Sequence, residues 1–137
     1  MNQQKRKGRI YVVDDNEVIR RVLRGIIRQD ESLELVGEAS GGGSALEGIK
    51  VLVPDVVCLD VLMPDLDGLS VLATIREKYP AMRVVMVTGQ STSEVVTDAR
   101  KLGVHAFVVK PFNAAKVLRA IHTALAADPD PVAESAG

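Results

Sequence analysis

Four short apolar runs recur along the chain, and each is continuous rather than alternating between apolar and polar positions. They occupy residues 10–13, 56–59, 84–87 and 106–109 and are rich in Val or Ile. Continuous runs of this kind are typical of strands buried on both faces of a parallel sheet. A fifth segment, residues 34–39, is more polar and contains Gly37, which predicts an edge strand.

Apolar residues at helical spacing follow each predicted strand. The five sets are Val18, Ile19, Val22, Leu23, Ile26 and Ile27; Ala45, Leu46 and Ile49; Leu69, Leu72 and Ile75; Val95, Ala99 and Leu102; and Val117, Leu118, Ile121 and Leu125. Pro54, Pro80 and Gly103 predict where the second, third and fourth helices end. The alternation predicts an α/β fold: a doubly wound five-stranded parallel sheet in the flavodoxin-like order 2-1-3-4-5, with five helices on both faces.

Composition narrows the class of protein. The chain has 137 residues, enough for one domain with its own core. Its 17 basic and 18 acidic residues give a net charge of −1, which argues against direct nucleic-acid binding by a broad basic surface. The single Cys excludes an internal disulfide and a multi-cysteine metal site. Since no apolar run approaches the length of a signal h-region or a membrane span, we expect a cytoplasmic protein without a membrane partner.

The two ends of the chain differ from the middle. Residues 1–7 include Lys5, Arg6 and Lys7 and predict a disordered or frayed N-terminus, whereas residues 8–126 form the predicted domain. Residues 127–137 contain two prolines and small polar residues, which predicts a flexible tail or a truncated linker.

Chemically reactive side chains follow the central strands. They are Asp14 and Asp15 after the first run, Asp60 after the second, Thr88 after the third, and Lys110 with Pro111 after the fourth. In an open parallel sheet the ligand site lies beyond the carboxyl ends of the strands, so these side chains should meet at one edge. Three neighbouring carboxylates repel one another unless a cation lies among them, and their oxygens suit Mg²⁺ or Mn²⁺. A Lys and a Thr opposite would bind the oxygens of a phosphoryl group, and one carboxylate could be its acceptor.

Four motifs occur in a fixed order along the chain: VDDN at 13–16, DVLMPDLDG at 60–68, VTG at 87–89 and VKPF at 109–112. Together they resemble the receiver domain of two-component response regulators of the chemotaxis-regulator type, over about residues 8–126. Any one motif alone would be weak, whereas the set at these spacings is highly specific.

The resemblance implies a role for each matching residue. Asp60 would accept a phosphoryl group from a histidine kinase or histidine phosphotransfer protein and become a 4-aspartylphosphate. The implied Mg²⁺ ligands are Asp14, Asp15, Asp60 and the backbone carbonyl of Leu62. Lys110 would pair with the phosphoryl group, Thr88 and the aromatic Phe107 would form the switch, and Pro111 would follow a cis peptide bond. The surface of the fourth helix, fifth strand and fifth helix would then control a downstream protein.

Two departures from the family pattern affect the switch and the lifetime of the phosphoryl group. Phe107 stands where the family often has Tyr, so any contact made by a hydroxyl is absent. Leu62 and Gln90 occupy the positions that tune dephosphorylation in the family. An apolar Leu62 side chain would hinder an attacking water, which predicts that hydrolysis is not unusually fast.

Other interpretations of the same residues remain open. The chain could be the N-terminal receiver of a longer, for example DNA-binding, regulator, or a phosphorylation-independent scaffold. A phosphohydrolase with an Asp nucleophile needs a second Asp where Leu62 stands, so we expect no enzyme beyond slow self-dephosphorylation. Four arginines of the first helix, Arg20, Arg21, Arg24 and Arg28, predict a solvated basic face or a kinase-docking face. The glycine-rich stretch 37–44 predicts a flexible turn, because the Lys of a P-loop is replaced by Gly43.

Overall fold

The computed structural model describes residues 6–127, which form five strands and five helices in strict alternation. The strands are β1 (Gly8–Val13), β2 (Leu33–Ala39), β3 (Val56–Leu59), β4 (Arg83–Thr88) and β5 (Ala106–Val109). The helices are α1 (Glu17–Arg28), α2 (Gly42–Leu52), α3 (Gly68–Lys78), α4 (Ser93–Lys101) and α5 (Ala114–Ala126). The predicted termini at residues 1–5 and 128–137 lie outside the described residues.

The strands form one parallel sheet in the order β2-β1-β3-β4-β5, which confirms the predicted fold class. Strand β2 lies at the edge, as its polar sequence indicated. The order changes direction between β1 and β3, and this is where a doubly wound sheet opens a crevice at its carboxyl edge.

Both faces of the sheet are covered, which explains why residues 10–13, 56–59 and 84–87 of the central strands are apolar at every position. Along β1, Ile10 and Val12 pack with the apolar faces of α1 and α5, whereas Tyr11 and Val13 pack with α2, α3 and α4. All four residues of β3 are also buried, and they include Cys58. The predicted burial on both faces is therefore confirmed for the runs in β1, β3 and β4. It is wrong for the run in β5, because β5 lies at the other edge of the sheet and Val109 is 44% exposed.

The predicted apolar stripe of α1 is too wide. Leu23, Ile26 and Ile27 are buried, but Val18 is 60% exposed and Val22 is 44% exposed. At helical spacing Val18 and Val22 lie along one margin of the stripe, beyond the arc of the helix that the sheet covers. The apolar stripe of α1 therefore extends beyond the face that the sheet covers.

The structure bears on the predicted end of α4, on the predicted N-terminal segment and on membrane spans. Gly103 has a φ of 92° and directly follows the C-cap residue of α4, so the predicted glycine stop is confirmed. Arg6 lies within the predicted frayed segment, yet its Nη2 is 2.9 Å from Asp55 Oδ1. Within residues 6–127, no helix has the length and apolarity that a membrane span requires.

A hydrogen bond between α5 and the turn after α1 predicts how stability depends on pH. His122 Nε2 lies 2.7 Å from Asp30 Oδ2, and the Ser32 hydroxyl donates to Asp30 Oδ1 at 2.6 Å. These contacts, His122 first, lower the pKa of Asp30 from 3.8 to about 2. The stability that Asp30 contributes is then fully present above pH 3.8 and is lost as the pH falls towards 2.

We therefore expect His122→Asn to move the pKa of Asp30 upward, towards 3.8, in a carboxyl titration followed by NMR. Thr123→Ala, at an exposed position on the same helix, should leave that titration unchanged. An Asp30 titration that is identical in His122→Asn and in the unmodified protein would contradict this assignment.

Candidate functional site

Three carboxylates meet at the carboxyl edge of the sheet. Strands β1 and β3 pair with Val13 opposite Leu59, and the Asp60 N–H donates to the Val13 carbonyl at 3.0 Å. This pairing brings together one carboxylate oxygen from each of Asp14, Asp15 and Asp60, all within 4.8 Å of one another. Asp14 and Asp60 are buried, whereas Asp15 is exposed.

Lys110 joins two of these carboxylates. Its Nζ donates to Asp14 Oδ2 at 2.8 Å and to Asp60 Oδ2 at 3.3 Å. The backbone N–H of Lys110 donates to the Thr88 carbonyl at 2.9 Å, so the end of β4 fixes the start of this side chain. The Lys110–Pro111 peptide bond is cis, as the resemblance implies.

Burial and neighbouring charges shift the pKa values of two groups in the site. Burial raises the pKa of Asp14, although hydrogen bonds from Lys110 and from the Asn16 N–H act against the rise. Burial alone would lower the pKa of Lys110, but its hydrogen bond to Asp14 and the charges of Asp60 and Asp14 outweigh burial and raise it. The ammonium therefore stays protonated beside the carboxylates. One positive charge faces three acidic side chains, which leaves a net negative site.

The donor chemistry of the site fits a small divalent cation. Three clustered carboxylates supply oxygen ligands, two from buried side chains and one from an exposed side chain at the opening. Mg²⁺ prefers such oxygens and keeps several waters, so a partly open carboxylate site suits it. The cluster could therefore hold a metal ion.

The two predicted switch residues occupy different positions. Thr88 is fully buried at the end of β4, and its Oγ1 accepts a hydrogen bond from the Gln90 N–H at 3.0 Å. Phe107 pairs with Met86 lower in the sheet and is half-buried against the core on the α2–α4 face. Leu62, two residues after Asp60, is 57% exposed.

Arg20 contacts the site, and the sequence did not reveal this. Its Nη1 donates to the backbone carbonyl of Asp14 at 2.7 Å, and its Nε lies 3.5 Å from Glu38 Oε1. Arg24 forms two hydrogen bonds with the same carboxylate, at 2.6 and 3.0 Å. The solvated-face interpretation is therefore wrong for Arg20 and Arg24. Since Glu38 pairs with Val12 in the neighbouring strand, the strand order alone could have suggested a partner.

The glycine-rich stretch is not the predicted flexible turn. Residues 37–39 belong to β2 and residues 42–44 to α2, so only residues 40 and 41 connect the two. The N–H groups of Gly42 and Gly43 each donate to Asp65 of the β3–α3 loop, at 3.0 Å. These hydrogen bonds lower the pKa of Asp65, the Gly43 bond most. The Asp65 carboxylate accepts hydrogen bonds from N–H groups that have no partner within the helix, and this stabilises the start of α2.

Known proteins are similar to this chain in sequence and fold. The family model for the response regulator receiver domain matches residues 10–122. Chemotaxis protein CheY of Listeria monocytogenes is 38% identical over 116 residues, which cover 85% of this chain and 97% of that protein. The crystal structure of the response regulator domain of Thermotoga maritima CheB has a TM-score of 0.84 and 33% identity, and the match covers 90% of this chain and all of that one. A chain in the crystal structure of the CheX–CheY–BeF3–Mg²⁺ complex from Borrelia burgdorferi has a TM-score of 0.80 and 30% identity, and the match covers 84% of this chain and 87% of that one.

Proposed function

Because the chain belongs to the response regulator receiver domain family, we propose that it accepts a phosphoryl group on Asp60 and thereby controls a partner protein. The observation that carries the proposal is the bridge of Lys110 between buried Asp14 and buried Asp60. A buried acid cluster that keeps one ammonium is poised for an anion with several oxygens, since the ammonium can move from carboxylate to phosphoryl group.

The chemical step is a phosphoryl transfer from a phosphohistidine. A carboxylate oxygen of Asp60 attacks the phosphorus, the phosphorus–nitrogen bond breaks, and the electron pair leaves with the imidazole. The product is an acyl phosphate on Asp60. Lys110 then balances charge on a phosphoryl oxygen, and Arg20 holds the backbone that positions Asp14.

A divalent cation completes the proposed site. Asp14, Asp15, Asp60 and the backbone carbonyl of Leu62 would hold Mg²⁺, or Mn²⁺ in its place. When bound, the ion would neutralise charge on the phosphoryl oxygens. The Mg²⁺ in the CheX–CheY–BeF3–Mg²⁺ complex from Borrelia supports this assignment by similarity.

The proposed response begins at Thr88. Movement of its hydroxyl from the Gln90 N–H towards a phosphoryl oxygen would favour inward rotation of Phe107. The contacts made by the phosphoryl group would stabilise an active conformation of the α4, β5 and α5 surface, which already exists as a minor state.

The proposed partners are proteins and the proposed location is the cytoplasm. The donor is a histidine kinase or histidine phosphotransfer protein, and the output is a contact with a downstream protein rather than nucleic acid. The chain acts as acceptor and switch, not as an enzyme beyond slow self-dephosphorylation. The alternative, that it is the receiver part of a longer regulator, stays a prediction that the size of the natural protein tests.

Mapping the modified residue tests the acceptor assignment. After incubation with acetyl phosphate and Mg²⁺, reduction with borohydride converts an aspartyl phosphate to homoserine, which peptide mass spectrometry locates. We expect homoserine at position 60 and at no other Asp. Homoserine at position 14 or 15 would overturn the proposal. So would a protein that binds Mg²⁺ but contains no homoserine after the reaction.

The exposed apolar side chain of Leu62 gives a prediction about lifetime. Leu62 follows Asp60 by two residues, and it cannot hydrogen-bond an attacking water. We therefore expect the phosphorylated protein to persist well beyond seconds after the donor is removed, and Leu62→Asn to shorten that time. Intact-mass measurements over time give both rates. A lifetime of seconds or less in the unmodified protein would contradict the role given to Leu62.

A further inference from the structure

We propose that Asp65 is a positioning residue that anchors the phosphoacceptor loop to the N-terminus of α2. The loop comprises residues 60–67, between β3 and α3, and begins with Asp60 itself. The inference rests on the proposed function, because it concerns how Asp60 and the Leu62 carbonyl are held ready for metal and phosphoryl groups.

The anchor consists of two hydrogen bonds between distant parts of the chain. Asp65 Oδ1 accepts from the Gly42 N–H and Asp65 Oδ2 from the Gly43 N–H, each at 3.0 Å. The N-cap residue of α2, Gly41, has no side chain to offer and makes no side-chain capping bond. Asp65 therefore supplies from another loop the cap that α2 lacks in its own sequence.

The glycines at the start of α2 let the two segments approach this closely. A Cβ atom on Gly41 would lie 2.9 Å from Asp65 Oδ1, and one on Gly42 would lie 2.7 Å from the Leu66 carbonyl oxygen. A side chain at either position would push the loop away from the helix. The absence of side chains at Gly41, Gly42 and Gly43 therefore allows the loop to contact the start of α2. This explains a glycine-rich motif that the phosphoryl chemistry does not.

The position of Asp65 within the loop explains its expected effect. Asp60 is held by the sheet, and the Gly68 N–H donates to the Val61 carbonyl at 2.7 Å, so both ends of the loop are fixed. In the middle, Leu62 to Asp65, only Met63 is buried in the core, and Leu62, Pro64 and Asp65 are exposed. Asp65 fixes this middle part, and with it the Leu62 carbonyl that the proposed metal site uses.

Asp67 provides a contrast within the same loop. Its Oδ1 accepts from the Ser70 N–H at 2.9 Å, so it caps α3, the helix that continues directly from the loop. Asp65 and Asp67 are both exposed acidic residues that cap a helix, but only Asp65 ties the loop to a different element. Their alanine variants should lose similar stability and differ in their effect on the site.

The expected effect follows from the population of loop conformations. If only a fraction of the untethered loops places the Leu62 carbonyl for binding, the apparent affinity for Mg²⁺ falls by that fraction. We expect Asp65→Ala to need about three- to tenfold more Mg²⁺ for half-maximal stabilisation and half-maximal phosphorylation rate. The maximal extent of phosphorylation at saturating Mg²⁺ should be unchanged, because no reacting group has been removed.

The test compares Asp65→Ala, Asp65→Asn, Asp67→Ala and the unmodified full chain. Thermal unfolding against Mg²⁺ concentration gives the apparent affinity without phosphoryl chemistry, and amide hydrogen exchange of residues 61–67 without Mg²⁺ reports the tether directly. We expect faster exchange and weaker Mg²⁺ response in Asp65→Ala only. Asp65→Asn, which keeps one acceptor oxygen, should lie between Asp65→Ala and the unmodified protein.

The outcomes separate this inference from the proposed function. Equal exchange and equal Mg²⁺ response in Asp65→Ala and Asp67→Ala would overturn the positioning role, while phosphorylation of the unmodified protein would leave the function intact. If the unmodified protein neither responds to Mg²⁺ nor forms an adduct, the proposed function itself fails. If Asp65→Ala does not fold, the same comparison made with Asp65→Asn decides the question.

Discussion

Replacement of Gly68 by alanine is expected to lower the free energy of unfolding by about 3 kcal/mol or more, at the upper end of what overpacking costs. A Cβ atom on Gly68 would overlap the backbone carbonyl oxygen of Asp60 and lie 2.8 Å from the Asp60 carbonyl carbon and from Val61 Cα. These are backbone atoms at the end of a central strand, so they cannot move aside as a flexible side chain would. The loop must shift instead, and Asp60 shifts with it. Denaturant unfolding measures the loss of stability, and phosphorylation at Asp60 should fall with it.

Gly25→Ala is the matched control for this substitution. Gly25 is exposed within α1, and a Cβ there would meet no atom within 4 Å. Because glycine in a helix interior is less favourable than alanine, this variant should gain roughly 0.5–1 kcal/mol. If Gly68→Ala and Gly25→Ala were equally stable, the close approach of α3 to the Asp60 carbonyl would be wrong.

Replacement of Lys110 by methionine is expected to cost about 3 kcal/mol in the metal-free protein above neutral pH, as when one partner of a buried ion pair is removed. The ammonium is the cation that contacts both Asp14 and Asp60, and both carboxylates are buried. Without it, the negative charges repel one another at short range. Thermal and denaturant unfolding give the loss.

Two conditions should reverse much of the loss in Lys110→Met. Mg²⁺ should stabilise the variant more than the unsubstituted protein, because in the variant no ammonium competes with Mg²⁺ for the carboxylates. Lowering the pH towards the raised pKa of Asp14 should also help: protonation of a carboxyl whose folded pKa lies above its unfolded value favours the folded state. Lys116→Met, at an exposed position on α5, is the control and should show neither effect. A Lys110→Met variant that is as stable as this control would contradict the electrostatic account of the site.

The sequence predicted the features that depend on local patterns repeated along the chain. Strands buried on both faces must be apolar throughout, so runs such as 56–59 were recognisable without any partner. Because parallel strands end at one edge, residues that follow them had to converge, and Asp14, Asp60 and Lys110 do. The resemblance then supplied chemical roles that spacing alone could not assign.

The features that the sequence did not predict depend on how elements meet in space. Packing against the sheet determines how much of the surface of α1 is buried. Val18 and Val22 are apolar and lie at helical spacing with the core residues, yet both are exposed. Arg20 reaches the Asp14 carbonyl through a side-chain conformation that its position on a helix does not fix. The hydrogen bonds of Asp65 with Gly42 and Gly43 join residues that are 23 and 22 positions apart. Nothing in the sequence of either segment indicates that the two are in contact.

Intact-protein mass after incubation with acetyl phosphate tests the central claim most directly. The samples are the unmodified protein with Mg²⁺, the unmodified protein with a chelator, and Asp60→Asn with Mg²⁺. We expect a gain of one phosphoryl group in the first sample and none in the other two. A folded protein that gains no phosphoryl group with Mg²⁺, or an Asp60→Asn variant that gains one at the same rate, would contradict the account of Asp60 as the acceptor.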